Sequence, residues 1–283
     1  MPGTLFVVAT PIGNLEDITI RALRVLREVG LIAAEDTRRT AGLLAHHGIS
    51  TPTTSFHAHN ARSRTARLLG ELQEGTSIAL VTDAGTPGIS DPGVELVAAC
   101  VEARIPVDPI PGVSAPLTAA IASGFPLDSF TILGFAPYKA KARSDFLSYI
   151  SSLDGVVSFF DAPHRIRETL AEASVVFGKR PIVVGRELTK IHQEFLRGTA
   201  QSVLERLLEP KGEFTVVVGP YIESANPVEL PDDATVAREF GHIANNESGG
   251  RRAALSIIAK RYGRPTREIY SAIERAKKSG EQP

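Results

Sequence analysis

Short apolar runs alternate along the first half of the chain with segments in which apolar residues recur every three or four positions. The runs Leu5–Ala9, Leu31–Ala34 and Ser77–Val81 have the length and composition of buried strands. The segments 18–29 and 66–72 repeat apolar residues at the spacing of an amphipathic helix. Strands that alternate with helices predict an α/β fold.

A second series of the same kind begins at Phe130–Leu133 and ends with the apolar run Phe214–Val218. After a linker-like segment at 224–227 the pattern contains helices alone, and the last two resemble a helix-turn-helix hairpin. We therefore expect an N-terminal α/β domain at 1–123, a second α/β domain at 124–224 and a helical extension at 228–283.

Three loops with unusual backbone demands each follow or adjoin a predicted strand. The loop at 82–92 carries Asp83 into a turn of glycines and prolines, and the other two are the segments 10–14 and 108–114. Small, rigid residues directly after a strand let the backbone come close to a ligand, and in an open sheet ligands lie at the carboxyl ends of the strands. The three loops predict one shared binding crevice.

Familiar glycine-rich motifs for binding nucleotides and cofactors are absent from the sequence. No two of the 24 glycines are two positions apart, so the chain contains no G-x-G sequence, and it contains no P-loop. The dinucleotide fingerprint and the glycine-rich loop of ordinary Rossmann methyltransferases are therefore absent from the sequence.

Composition indicates the class of protein. Hydrophobic residues make up 43% of the chain and charged residues 22%, as in a globular protein, and a formal net charge of −1 gives no overall attraction to nucleic acid or membrane. No apolar run approaches the roughly 18 residues of a membrane span, and the N-terminus enters a strand without a signal segment. We expect a cytoplasmic protein with no membrane partner, in which the lone Cys100 is a buried thiol.

Basic residues are concentrated at the C-terminal end. The segment 250–283 contains nine Lys or Arg and three acidic residues, which gives it a charge of +6 in a chain whose total is −1. A solvated helical face accounts for such a surplus, and so does a nucleic-acid contact, for which a local basic patch is the expected footprint. Both interpretations stay open at this point.

Several motifs occur in the same order as in a known family. They are ATPIGNLEDIT (9–19), AEDTRRT (34–40), HAHN (57–60), VTDAGTPGISDPG (81–93), PIPGVSAP (109–116), APHR (162–165) and RELTK (186–190). Together they resemble the ribosomal RNA small subunit methyltransferase I family of the tetrapyrrole methylase superfamily, over residues 4 to about 220. The helical extension also resembles the C-terminal part of that family, with a weaker signal.

The resemblance implies two α/β domains with S-adenosylmethionine bound in the cleft between them, and a homodimer. It also implies 2′-O-methylation of a cytidine ribose in the decoding region of small-subunit (16S) ribosomal RNA, as naked RNA or in the assembled subunit. The residues that match cofactor positions are Pro11, Asp83, Ala84, Gly85, Thr86, Ser114, Ala115, Asp161, Arg186 and Glu213. One departure is Asp161-Ala162, where relatives commonly have Glu-Ser.

The chemistry of methyl transfer needs no nucleophilic side chain, because the cofactor carries the activated methyl group. A ribose hydroxyl is a weak acid, so a base or nearby cations would help. The candidate catalytic residues are Glu35, Asp36, His57 and His59. The candidate RNA contacts are Asn14, Arg38, Asn60, Lys139, Arg143, Arg165, Arg251 and Arg252.

Alternatives remain for several of these groups. His57 and His59 are also explained as ordinary loop residues, whereas a zinc site lacks a third ligand at motif spacing, so no metal is predicted. Lys139 and Arg143 are equally compatible with a solvated helix start. For the whole chain, the rival functions are a corrin or porphyrin precursor methyltransferase and a non-catalytic RNA-binding assembly factor.

Overall fold

The computed structural model describes residues 1–89, 93–220, 230–246, 250–262, 264 and 266–278. By contacts between Cα atoms the chain divides into two compact units, Met1–Tyr221 and Ile222–Pro283. The first unit contains two β-sheets with their helices, which confirms the predicted α/β class.

The first sheet is entirely parallel in the strand pairs that the structure describes. Its strands are Leu5–Val8 (β1), Leu31–Ala34 (β2), Thr53–Ser55 (β3), Ile78–Val81 (β4) and Val107–Ile110 (β5), in the order β3-β2-β4-β1-β5. Because all these strands point the same way, the loops that follow them meet at one edge of the sheet.

Helices cover both faces of this sheet. They are Ile20–Glu28 (α1), Thr37–His46 (α2), Ala61–Gln73 (α3) and Val94–Glu102 (α4), whereas Ala115–Ile121 (α5), which follows β5, packs against strands of the second sheet. Leu26 of α1 packs on one face, while Leu68 of α3 and Cys100 of α4 pack on the other. The fully buried Cys100 confirms the predicted buried thiol.

The second sheet is mixed. Its strands are Phe130–Phe135 (β6), Val156–Asp161 (β7), Pro181–Arg186 (β8), Glu194–Thr199 (β9) and Phe214–Val218 (β10), in the order β6-β7-β10-β8-β9. Strand β6 is parallel to β7, and the remaining pairs are antiparallel. The helices of this part are Ala140–Ser152 (α6), Ile166–Phe177 (α7) and Ala200–Arg206 (α8).

The sequence did not predict β3, α2 or β9. Strand β3 has three half-buried residues and β9 mixes exposed, half-buried and buried ones, so neither shows the continuous apolar run that marks the buried strands. Segment 108–110, which was expected as loop, forms most of β5. The division of the first unit into domains 1–123 and 124–224 stays a proposal.

The second unit is helical in its described residues. Its helices are Asp233–Asn246 (α9), Gly250–Arg261 (α10) and Thr266–Lys278 (α11), and the first of them was not predicted individually. Phe240, Ile258 and Ile273 lie in their common core. Arg275 and Asp233 join α11 to α9 through a two-bonded ion pair with distances of 2.7 and 2.9 Å. No helix in the described part of the chain is long and apolar enough to cross a bilayer.

A buried arginine, Arg180, connects one end of the second sheet to the end of α6 through hydrogen bonds. Arg180 is 3% exposed, and it donates to the carbonyl oxygens of Gly219, Ile150, Leu153 and Gly155 at 2.7 to 2.9 Å. These carbonyls belong to the end of β10, the end of α6 and the turn into β7. One guanidinium therefore satisfies acceptors from three neighbouring segments.

We expect Arg180→Met to destabilise the fold by at least about 3 kcal/mol, because several buried carbonyls lose their donor together. Urea unfolding followed by circular dichroism measures the loss. The matched control is Lys179→Met at the neighbouring exposed position. Equal unfolding midpoints for the two variants would contradict this structural role.

Candidate active site

A cleft of about 360 Å³ opens between the loops of the first sheet and the second sheet. The residues that line it from the first sheet are Ile12, Glu35, Arg39, Asp83, Ala84, Gly85, Thr86, Ile89, Ser114, Ala115 and Pro116. Those from the second are Phe135, Phe160, Asp161, Ala162, Pro163, Leu188, Glu213, Phe214 and Thr215. A volume of this size is in the range of small-molecule and cofactor sites.

The ends of β2 and β4 are locked together by hydrogen bonds. Glu35 Oε2 accepts from the Thr82 hydroxyl at 2.6 Å and from the Asp83 backbone N–H at 3.1 Å. The Asp36 backbone N–H donates in return to Asp83 Oδ1 at 2.9 Å. Burial, and then the nearby Glu35 carboxylate, raise the pKa of Asp83 above its ordinary value.

The three loops that the sequence singled out are also joined to one another. Thr10 and Gly85 exchange two backbone hydrogen bonds of 2.9 and 3.0 Å, and Gly85 has a φ of +84°, which favours glycine. The Thr86 hydroxyl donates to the Val113 carbonyl at 3.1 Å. The loops after β1, β4 and β5 therefore form one continuous wall.

A loop of the second sheet closes against the first. The backbone N–H of Asn14 donates to Thr189 Oγ1 at 3.0 Å. A side chain on Gly13 would collide with Lys190 and Thr189, so this contact requires glycine. Thr189 itself has a φ of +65°, a costly conformation for a β-branched residue.

Asp161 is the most deeply buried carboxylate of the cleft. Its side chain is inaccessible, and Oδ1 accepts from the Arg165 Nε at 2.7 Å and from the Ala162 N–H at 2.8 Å. Oδ2 has no hydrogen-bond partner among the described residues. A buried carboxylate oxygen without a partner is costly, so this atom is suited to a donor on a bound ligand.

The charges of the cleft select the type of ligand. Four carboxylates line it, those of Glu35, Asp83, Asp161 and Glu213, whereas Arg39 is the cation among the described lining residues. Apolar and aromatic side chains complete the walls, with the Phe135 and Phe160 rings 5.2 Å apart. This combination favours a ligand with a flat apolar part, positive charge and hydrogen-bond donors.

Most of the residues predicted to bind the cofactor lie in this cleft. They are Asp83, Ala84, Gly85, Thr86, Ser114, Ala115, Asp161 and Glu213. Pro11 lines an adjoining cavity, whereas Arg186 lines neither cavity and its Nη1 donates to Glu194 Oε2 at 3.4 Å. Their role in cofactor binding stays a prediction.

Of the predicted catalytic residues, Glu35 lies in the cleft and Asp36 is committed elsewhere. Both oxygens of Asp36 accept from Arg38, at 2.7 to 3.1 Å. Hydrogen bonding to Arg38 lowers the pKa of Asp36 far below its usual value, which makes it a weak proton acceptor.

The HAHN loop follows β3 and lines neither cavity. Asn60 Oδ1 accepts from the His57 backbone N–H at 2.8 Å, and Asn60 Nδ2 donates to His57 Nε2 at 3.1 Å. The rings of His57 and His59 are 6.0 Å apart. Because β2 separates β3 from β4, we place the loop about 10 Å along the edge from Asp83.

The predicted RNA contacts divide into exposed and buried groups. Arg143 is a correction: it is 4% exposed, and its guanidinium is paired with Glu172 at 2.5 Å and Glu168 at 3.4 Å, so it is not available to grip a phosphate. Arg165 is held by Asp161, whereas Lys139 is exposed at the start of α6.

The remaining RNA candidates are exposed or lie in the second unit. Asn14 and Arg38 are exposed beside the loops of the first sheet. Arg251 is exposed, with its guanidinium 5.7 Å from the centre of the Phe240 ring. The side chain of Arg252 is outside the described residues.

Arg39 is the functional candidate that sequence reasoning missed. It stands in the first turn of α2, and its Nη1 lies 3.5 Å from Asp83 Oδ2. The signal was available in the motif AEDTRRT, where Asp36 caps a helix and the following turn points basic residues toward the end of β4. The position of Arg39 beside Asp83 depends on α2 being a helix, which the sequence pattern did not predict.

Comparison with known proteins defines the class. The family model of Tetrapyrrole (Corrin/Porphyrin) Methylases matches residues 4–204. The crystal structure of diphthine synthase superposes with a TM-score of 0.60 at 12% identity, covering 77% of this chain and 90% of that one. The crystal structure of uroporphyrin III C-methyl transferase from Thermus thermophilus, complexed with S-adenyl homocysteine, superposes with a TM-score of 0.56 at 16% identity. The match covers 77% of this chain and 97% of that one. The fold is that of the tetrapyrrole methylases.

Curated relatives give the particular family. Ribosomal RNA small subunit methyltransferase I of Halalkalibacterium halodurans is 43% identical over 273 residues, which cover 95% of this chain and 94% of that protein. The protein of the same name from Haemophilus influenzae is 43% identical over 275 residues, which cover 95% of this chain and 96% of that protein. The chain belongs to the ribosomal RNA small subunit methyltransferase I family, which confirms the resemblance seen in its motifs.

The geometry of Asp83 predicts its effect on cofactor binding. We expect Asp83→Ala to weaken S-adenosylmethionine binding at least tenfold, about 1.5–3 kcal/mol, because a charge-assisted acceptor is lost. Calorimetry measures the affinity, and Asp145→Ala, an exposed carboxylate of α6, is the control.

The raised pKa of Asp83 adds a dependence on pH. The charged form is the better acceptor, so affinity should fall as the pH drops through the raised pKa, and Asp83→Asn should remove this dependence. Unchanged affinity in a folded Asp83→Ala protein would exclude Asp83 from the cofactor site.

Proposed function

We propose that this chain transfers a methyl group from S-adenosylmethionine to the 2′-hydroxyl of a cytidine ribose in the decoding region of 16S ribosomal RNA. The observation that carries the proposal is the likeness of this chain to the relatives above, which covers 95% of the chain and therefore reaches into the helical unit. The carboxylate-rich cleft suits that cofactor, whose sulfonium and ammonium groups are positively charged.

When bound, S-adenosylmethionine supplies an activated methyl group, and its transfer to an oxygen breaks the carbon–sulfur bond and leaves the electron pair on sulfur. Asp83, Asp161 and Glu213 would balance the positive charge and accept hydrogen bonds from the cofactor. The apolar walls formed by Ile12 and Leu188 exclude water, which strengthens these interactions. Catalysis then depends on holding the two reactants aligned.

The proton of the acceptor hydroxyl needs a destination, and Glu35 is the candidate that the geometry favours. Glu35 lies in the cleft and uses Oε2 to hold Thr82 and Asp83, which leaves Oε1 for a substrate. Asp36 is committed to Arg38, and the imidazole Nε2 of His57 already accepts from Asn60.

We therefore expect Glu35→Gln to lower the methyl-transfer rate about a hundredfold at saturating cofactor and RNA, the effect of losing a general base. His57→Ala and His59→Ala should leave that rate within a few-fold of the unaltered protein. The measurement is single-turnover transfer of labelled methyl. The reverse order, with a large loss in a histidine variant and none in Glu35→Gln, would transfer the base role to the HAHN loop.

We also propose that the helical unit contributes RNA affinity. Part of its positive charge is neutralised within the unit by ion pairs, such as Arg275 with Asp233 and Lys277 with Glu274. Arg251 is exposed, and further basic residues at 252, 260, 261 and 267 add to the surplus in the sequence. An RNA phosphate backbone is the natural partner of such a segment.

Deletion of residues 228–283 should leave cofactor affinity nearly unchanged, because the cleft belongs to the other compact unit. RNA affinity should fall, and its dependence on salt should become less steep, since fewer phosphates are neutralised. Filter binding at several salt concentrations measures both effects. Loss of cofactor binding in a folded truncated protein would contradict this division of roles.

We also propose an oligomeric state and a cellular location for the protein. We propose a homodimer, because α5 exposes Leu117 and Ile121 on one face of the helix, where a second copy would cover them. We propose a cytoplasmic location, where ribosomal RNA is present.

One assay tests the function against its rivals. Labelled S-adenosylmethionine is offered with small ribosomal subunits, naked 16S RNA and a uroporphyrinogen-type substrate in parallel. We expect methylation of RNA at a ribose, in the subunit or as free RNA. Transfer to the tetrapyrrole alone would establish the rival enzyme, and no transfer with retained RNA binding would indicate an assembly factor.

A further inference from the structure

A second cavity, of about 310 Å³, adjoins the cleft. The loop after β1 forms one wall with Pro11 and Leu15, and α2 forms the other with Gly42 and Leu43. We call it the α2 cavity. Arg39 and Asp83 line both this cavity and the cleft, so the two spaces share a border.

The α2 cavity has the features of a nucleotide subsite. Its walls are apolar at Pro11, Leu15 and Leu43, which suits the face of a base or a ribose ring. Its volume lies at the lower end of the range of small-molecule sites, which is too small for a duplex.

Arg39 supplies the cation at its border. The contact from Arg39 Nη1 to Asp83 Oδ2 is long at 3.5 Å, and the Arg39 side chain is 65% exposed. Neighbouring arginines are held far more closely, as in the 2.7 Å pair of Arg38 with Asp36. Arg39 therefore keeps donors for an outside anion, and a guanidinium is well matched to a phosphate.

We propose that the α2 cavity binds the acceptor nucleotide of the RNA, with Arg39 on an adjacent phosphate. This inference rests on the proposed function and adds the place where the substrate enters. The shared border at Asp83 puts an occupant of the α2 cavity next to an occupant of the cleft, as a direct transfer requires. The nucleotide must leave its base stack to enter, so the substrate is unpaired or flipped out.

Gly42 allows a test that spares the cleft. Gly42 lies on α2 and lines the α2 cavity alone, and a Cβ added there would meet no atom within 4 Å. Gly42→Leu therefore introduces beside the cavity a side chain whose Cβ has open space around it, and it raises the helix propensity of the position. The matched control is Gly70→Leu on α3, where a Cβ is equally free and neither cavity is lined.

We expect Gly42→Leu to lower methyl transfer at subsaturating RNA at least tenfold, while its affinity for S-adenosylmethionine stays within twofold of the unaltered protein. Gly70→Leu should match the unaltered protein in both measurements. Equal transfer by Gly42→Leu and Gly70→Leu would overturn the α2 cavity as the acceptor site. Absence of transfer by the unaltered protein would instead overturn the proposed function.

Variants of Arg39 test the phosphate contact. Arg39→Ala should raise the KM for RNA about tenfold and make it less dependent on salt, and Arg39→Lys should recover part of the loss because the charge returns. Arg67→Ala, which removes an exposed charge of α3, is the control. A tenfold loss of cofactor affinity in Arg39→Ala, with an unchanged KM for RNA, would assign Arg39 to the cofactor and overturn its proposed role.

Discussion

The carboxylate of Glu35 is the interaction on which the candidate site depends. By accepting from the Thr82 hydroxyl and the Asp83 N–H, it ties the end of β2 to the end of β4 across the centre of the first sheet. Charge-assisted hydrogen bonds of this kind are stronger than neutral ones, and they fix the direction in which Asp83 leaves its strand. The border between the cleft and the α2 cavity is set by that direction.

The electrostatics of the two cavities differ in a way that separates their ligands. The charged groups of the cleft are mainly carboxylates and suit a cation with donors, whereas the exposed guanidinium of Arg39 at the border of the α2 cavity suits a phosphate. Asp83 lies between them, close enough to Arg39 for attraction and too far for a tight pair. A cationic methyl donor and an anionic acceptor would thus each find the opposite charge, and neither would fit the other's place equally well.

The sequence predicted the parts of this arrangement whose signals are local. Strands β2 and β10 were predicted with their observed ends, because buried parallel or central strands are continuous apolar runs. The half-buried Thr-Thr-Ser of β3 and the partly exposed β9 lack that signal, since their place is decided by pairing with a neighbour. The burial of Arg143 could likewise not be predicted from the sequence, because it depends on an ion pair with Glu172 of another helix. Asp83 could be identified from the sequence because it directly follows the apolar run of β4. Arg39 could not, because its direction depends on the helix α2, which the sequence did not predict.

The adjacent carboxylates Asp36 and Asp83 demonstrate how the fold assigns different tasks to one chemical group. Arg38 holds both oxygens of Asp36 and lowers its pKa, so Asp36 stays charged and serves as the cap of α2. Burial and the neighbouring Glu35 raise the pKa of Asp83, so its charged form is less favoured than that of Asp36. Shifted pKa values occur at functional sites and in structural ion pairs, and the close pairing with Arg38 identifies Asp36 as the second case. Here the backbone N–H of Asp36 donates to Asp83, so the carboxylate that caps α2 belongs to the residue that positions the carboxylate of the cleft.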